Sequence, residues 1–169
     1  VLLIVPCGIL VSSALAYHET WLAPKEQLAE LSDIGQEFKG DGPALMTEYQ
    51  AYGVRHFLRL LDAEGASELR RRVIPRLDGS ETEKGAWSDT DELVMDPGQQ
   101  GVLTYRTLVL RRNPRQSRPP SPYQRVWQGD YYVVWQRDPD YDAANLIVHK
   151  PLGGDFQPAA VPNCAAVQN

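Results

Sequence analysis

The sequence predicts a single α/β sandwich, a mixed sheet whose parallel strands are joined by helices and which ends in a C-terminal antiparallel hairpin. Three observations predict it. Leu28, Leu31, Ile34 and Phe38 recur at three- and four-residue spacing across residues 24–39, the mark of an amphipathic helix. Helical runs then alternate with short β-type runs, which favours parallel strands through right-handed crossovers. Two aromatic and β-branched runs, residues 123–128 and 131–137, flank Gly129-Asp130, as in a hairpin with a type II′ turn.

In chain order, Pro24 suits the first turn of the first helix and Gly40 its stop. Asp41-Gly42-Pro43 makes a turn, and residues 44–49 (ALMTEY) a short buried strand. A second helix is predicted over residues 51–62. Val54, Phe57, Leu58 and Leu61 form its buried stripe, Arg55, His56 and Arg59 face outward, and Ala63-Glu64-Gly65 ends it. Residues 70–77 (RRRVIPRL) read as a strand, with Pro75 marking an edge or an end. Asp78-Gly79-Ser80 turns, residues 79–86 are a polar loop, and residues 88–93 a short helix capped by Ser88. After a loop at Gly98-Gln99-Gln100-Gly101, residues 102–112 (VLTYRTLVLRR) are the clearest strand. Residues 113–122 (NPRQSRPPSP) make a Pro-rich surface connection to the hairpin. Residues 146–149 suggest an extra strand. The first three predicted strands are parallel, and the hairpin adds antiparallel strands at one edge.

Three segments follow from this pattern: an apolar lead over residues 1–16, an α/β domain over 17–150 and an irregular tail over 151–169. The lead (VLLIVPCGILVSSALA) holds no charge and stops abruptly at Tyr17-His18-Glu19. It starts without a methionine or a basic flank, so the chain is expected to be a piece of a longer protein. It reads either as the end of a membrane-spanning helix or as a secretory signal core. Ala14-Leu15-Ala16 fits the small-x-small pattern before a cleavage point, while upstream sequence would be needed to reach the roughly 20 apolar residues of a full span. Either way, residues 17–169 are expected at or beyond a membrane. The next stretch holds five acids against Lys25 and Lys39, which favours the extracytoplasmic side. Trp21 and Tyr17 are placed as interfacial anchors.

A net charge of −5 argues against a dedicated nucleic-acid partner. Cys7 reads as a small apolar residue of a helix, and the partner of Cys164 stays open.

Three parts of the sequence are distinctive: residues 42–49 (GPALMTEY) followed by Tyr52 and Arg55-His56-Phe57-Leu58; residues 65–72 (GASELRRR); and residues 104–112 with 117–123 (SRPPSPY). Together they resemble soluble domains that follow the membrane helices of large, poorly characterised bacterial polytopic membrane proteins. These actinobacterial-type proteins are similar to lipid-linked-sugar glycosyltransferases. The resemblance runs over nearly the whole chain from Tyr17. In such proteins the catalytic acid sits in a loop between early membrane helices, which this chain does not contain. The resemblance therefore implies a role in folding, acceptor positioning or partner contact.

The chemistry-bearing residues are few. His18, His56 and His149 stand in no zinc-binding spacing, and no CxxC occurs, so no metal is expected. No GxSxG, P-loop or GxGxxG pattern is present, so neither a serine hydrolase elbow nor a phosphate-cradling loop is expected, and no cofactor. Asp138, Asp140 and Asp142 have the first spacings of a calcium loop, but Ala143 and His149 stand where the bend and the bidentate ligand belong. The leading candidate site is the junction after the first strand: Glu48, Tyr49, Tyr52, Arg55 and His56. Ligands of open α/β sheets sit outside the carboxyl ends of parallel strands, and these side chains suit a sugar. The competing account has Tyr49 and Tyr52 covering the core edge and Arg55 pairing with Glu48. Arg70-Arg71-Arg72, and Arg111-Arg112 with Arg115 and Arg118, suit lipid headgroups or anionic glycans, or simply guard strand edges. Trp87, Trp127 and Trp135 suit a glycan-stacking surface, and the hairpin alternation equally places Trp127 and some of its neighbours in the core.

The expected function is that of a non-catalytic extracytoplasmic domain of a bacterial membrane protein, glycosyltransferase-associated by resemblance, with a structural or recognition role. It would meet the membrane through residues 1–16 or upstream helices, and a glycan or lipid-linked sugar as ligand. The alternative is a secreted or anchored carbohydrate-binding module.

Overall fold

In the computed structural model, residues 4–18, 25–47, 51–65, 74–82, 89–95, 101–113 and 116–147 are described. Among them a five-stranded mixed sheet organises the chain, with strands β1 (Ala44–Met46), β2 (Ala63–Gly65), β3 (Thr107–Arg111), β4 (Tyr123–Gln128) and β5 (Tyr132–Arg137) in the order β2-β1-β3-β5-β4. β1 runs parallel to both β2 and β3, whereas β5 is antiparallel to β3 and to β4. The expected α/β class and C-terminal hairpin are both present.

Alternation along the strands divides the core into two layers. Ala44, Met46, Val109, Tyr132 and Val134 face one side, where they pack with Leu31, Ile34, Phe38, Val54, Leu58 and Leu61. That layer is covered by α2 (Lys25–Glu37) and by α3 (Ala51–His56) with the 3-10 turn Arg59–Leu61. Leu45, Leu108 and Leu110 face the other side, against Ile74, Leu93, Val102, Leu103, Tyr105 and Tyr123. No helix longer than a 3-10 turn covers that second layer among the described residues. It closes instead through hydrogen-bonded loops, with Val102 and Leu103 amides donating to the carbonyls of Val94 and Met95. Each fully buried leucine in these layers contributes about 1.5–3 kcal/mol relative to exposure.

The first helix stops as expected, with Gly40 at φ +89°, a conformation that favours glycine. The second does not run to residue 62: α3 ends at His56 and a 3-10 turn completes the segment. The predicted stripe is nevertheless kept, since Val54, Leu58 and Leu61 are buried, Phe57 packs beside them, and Arg55, His56 and Arg59 are exposed.

The second parallel strand of the described sheet lies elsewhere than predicted. Ala63–Gly65, expected only to end a helix, is β2, paired with Ala44, Leu45 and Met46. Intrinsic β-preference is weak there. The pairing is favoured by the neighbourhood, for the hydroxyl of buried Tyr105 donates to the carboxylate of Glu64, itself 1% exposed, at 2.6 Å. Of residues 70–77, those from 74 on are described. They make only isolated bridges, Pro75 to Glu81 and Arg76 to Leu93.

The predicted strand 102–112 is shorter: Val102–Thr104 is a 3-10 turn, and β3 begins at Thr107, where the Pro43 carbonyl accepts from the Arg106 and Thr107 amides. Residues 146 and 147 form no strand; the Ile147 amide instead donates to the Ser121 hydroxyl.

The hairpin closes on Asp130-Tyr131, with Gly129 facing Tyr132, and Gly129 does not have the positive φ that a type II′ turn would need. A side chain from α2 shapes it. The Glu30 carboxylate accepts from the amides of Asp130, Tyr131 and Tyr132 at 2.6–3.1 Å. This anchor and the hydrogen bond from the Gln27 amide to the Tyr132 hydroxyl, 2.6 Å, tie α2 to β5.

The apolar lead forms α1 (Ile4–His18), whose described side chains are all exposed, Ile9 at 62% and Leu10 at 69% among them. No helix among the described residues is long and apolar enough to cross a membrane. Cys7 is exposed in α1 with its thiol free.

Candidate functional site

The residues of the leading sequence-derived site are only partly described. Glu48 and Tyr49 lie outside the described residues, and Tyr52 belongs to α3 without a described side chain. Arg55 and His56 do come together. At the end of α3 they line, with Leu28 and Phe57, a shallow hollow of about 420 Å³. The His56 ring stands edge-on to Phe57, 4.8 Å between centroids and 87° between planes. Two bases in the last helical turn are also where the helix dipole favours positive charge.

A larger cleft, about 680 Å³, opens on the other layer, beside the carboxyl end of β3. That volume is ordinary for a small-molecule site. Leu110 of β3 and Val133 of β5 line its apolar part, because alternation turns both away from the helices. Trp135, two residues on along β5, shares that face. Arg111 and Arg112 continue from β3 and Arg118 comes from the Pro-rich connection, with Asp130 the only acidic lining residue among those described. The guanidinium of Arg118 lies over the Trp135 ring, 5.9 Å from its centroid. Arg112 donates to the Gly129 carbonyl at 3.0 Å.

The connection that carries Arg118 is held from below. Asp89 caps the 3-10 turn Thr90–Glu92, the role the sequence suggested for Ser88, which lies outside the described residues. One Asp89 oxygen accepts from the side-chain amide of Gln116 and the other from the backbone N–H of Ser117, both at 3.1 Å. Its neighbour Asp91 is 3% exposed, and neither of its oxygens has a hydrogen-bond partner. Burial pushes the Asp91 carboxyl up to about 6, with the nearby charges of Asp89 and Glu92 adding to the rise.

Because this acid titrates higher folded than unfolded, the folded state loses stability as pH rises from about 4 through 6. Asp91→Asn is therefore expected to stabilise the chain at pH 7.5, by up to about 3 kcal/mol. The gain should vanish near pH 4. Thermal melts of both proteins across that range check it; an equal difference at every pH would refute it.

The tryptophans do not share one surface. Trp127 packs on the helix-covered layer and Trp135 on the opposite one, while Trp87 lies outside the described residues. The aspartates of the calcium-like spacing serve local turns: Asp138 accepts from the Asp140 amide, and Asp142 from the Ala144 amide and the Asn145 side chain. Arg111, Arg112 and Arg118 were legible together as basic candidates, and Trp135 as an aromatic one, on separate grounds. What joins them is the β3–β5 register and the grip of Asp89 on the connection. The run Ser88-Asp89-Thr90-Asp91 held the only local signal, a capping residue, and it pointed one position too early.

No family model matches this chain, nor does any curated protein or solved structure.

Proposed function

We propose that this chain is a non-catalytic recognition domain of a bacterial membrane protein, displayed outside the cytoplasm, and that it binds carbohydrate. The cleft beside β3 carries this reading: an aromatic ring and apolar side chains lie next to arginines with many donors, a combination suited to the apolar face and hydroxyls of a sugar. The exposed apolar helix α1 supports attachment to a bilayer, either by itself or as part of a longer span. The resemblance to domains of glycosyltransferase-like proteins agrees with a ligand of this class, including a lipid-linked sugar.

The test is a panel of glycans and polyprenyl-phosphate sugars against the full chain in detergent micelles, read by thermal shift. Stabilisation by members of the panel, lost in Trp135→Ala, is the expected result. Silence across the panel would instead leave a structural appendage of a membrane protein.

A further inference from the structure

The chemistry of the cleft is more specific than a general affinity for sugars. The chain as a whole carries −5, yet this cleft is lined by three arginines and one aspartate. Such a local reversal of sign attracts anions against the field of the rest of the molecule.

Two of the guanidinium groups are also held by neutral partners. Arg112 reaches a carbonyl, that of Gly129, and the Arg118 guanidinium lies over the Trp135 ring, 5.9 Å from its centroid. A cation–π contact draws on the charge of a guanidinium without consuming its N–H donors, which can still meet a planar or tetrahedral oxyanion. The loop that presents Arg118 is tied at Gln116 and Ser117 to the buried carboxylate of Asp89, which limits how far it can drift. Leu110 and Val133 provide apolar surface beside these donors.

We propose that the cleft is an anion site, which takes a carboxylate or phosphate borne on a sugar, the oxyanion gripped by Arg112 and Arg118. The proposal rests on the carbohydrate reading above and names the class of sugar. Substrate turnover is not involved.

Calorimetric titration of the full chain in neutral detergent tests it with four probes: glucuronate, glucose 1-phosphate, methyl glucoside and inorganic phosphate. Glucuronate and glucose 1-phosphate are expected to bind at least tenfold more tightly than methyl glucoside, with affinity falling as salt is raised. Arg118→Gln should weaken both at least tenfold, whereas Arg59→Gln, exposed on the opposite layer, should leave them unchanged. Arg118 is exposed, so its variant should melt like the parent.

If methyl glucoside binds as tightly and Arg118→Gln has no effect, the anion proposal fails and the carbohydrate reading stands. If inorganic phosphate binds as tightly as glucose 1-phosphate, the anion site stands and the sugar is irrelevant to it. If no probe binds, both fail.

Discussion

Val109→Asp should leave almost no soluble protein. Val109 is fully buried in β3, the strand with parallel β1 on one side and antiparallel β5 on the other, directly between Met46 and Val134. Its side chain faces the layer formed with α2 and α3, where the side chains of Leu31, Ile34, Leu58 and Leu61 offer no polar atom to a carboxylate. An unpaired carboxylate there would cost more than about 4 kcal/mol. That is comparable with the whole stability of a small domain, about 5–15 kcal/mol. Val109→Ala serves as the companion variant. It removes two methyl groups without adding charge and should fold with a loss of about 1–3 kcal/mol, readable in urea titrations. Soluble Val109→Asp with a normal melt would mean that β3 is not the central strand.

The second large effect is expected at Gly35. Alanine in place of an interior helical glycine ordinarily stabilises a helix by about 0.8–1 kcal/mol. Here the sign should reverse. Gly35 is buried in α2, and a Cβ built on it would lie 2.0 Å from the carbonyl oxygen of Phe57. That atom belongs to backbone just after α3, so relief requires α2 and the α3 segment to separate. Gly35→Ala should destabilise by about 1–3 kcal/mol, as overpacked cores do, and Gly35→Val by more. Denaturant melts of the two variants check this. A stabilised Gly35→Ala protein would show that the close approach does not hold.

Gly35 also shows where sequence reading reaches its limit. The periodic apolar stripe of α2 predicted a helix and its buried face, and Leu31, Ile34 and Phe38 are indeed buried. Nothing in the local pattern said that Gly35 would be pressed against another segment. The hairpin was legible for the same local reason as the helix, since its aromatic and β-branched runs flank a short turn. Its turn geometry was not, because Glu30, a hundred residues earlier in the chain, occupies the loop amides.

The two misplaced elements have a common cause. Ala63–Gly65 has little strand preference and becomes β2 through pairing with β1, while the richer run 102–104 tightens into a 3-10 turn. Parallel pairing joins residues distant in sequence, so its hydrogen bonds leave no short-range pattern. The candidate site follows the same division. Arg55 and His56 were expected on the outward face of their helix and are exposed, because a helix face is set by spacing alone.

By itself, then, the sequence determined the α/β class, α2 with its buried stripe, the outward face of α3 and the C-terminal hairpin, all of which arise from periodicities a few residues long. Only the tertiary structure decided which strand lies beside β1, which layer each tryptophan joins, and that Arg112, Arg118 and Trp135 share one cleft. Those outcomes depend on strand register and on buried partners such as Glu64 and Asp89, whose contacts span tens of residues.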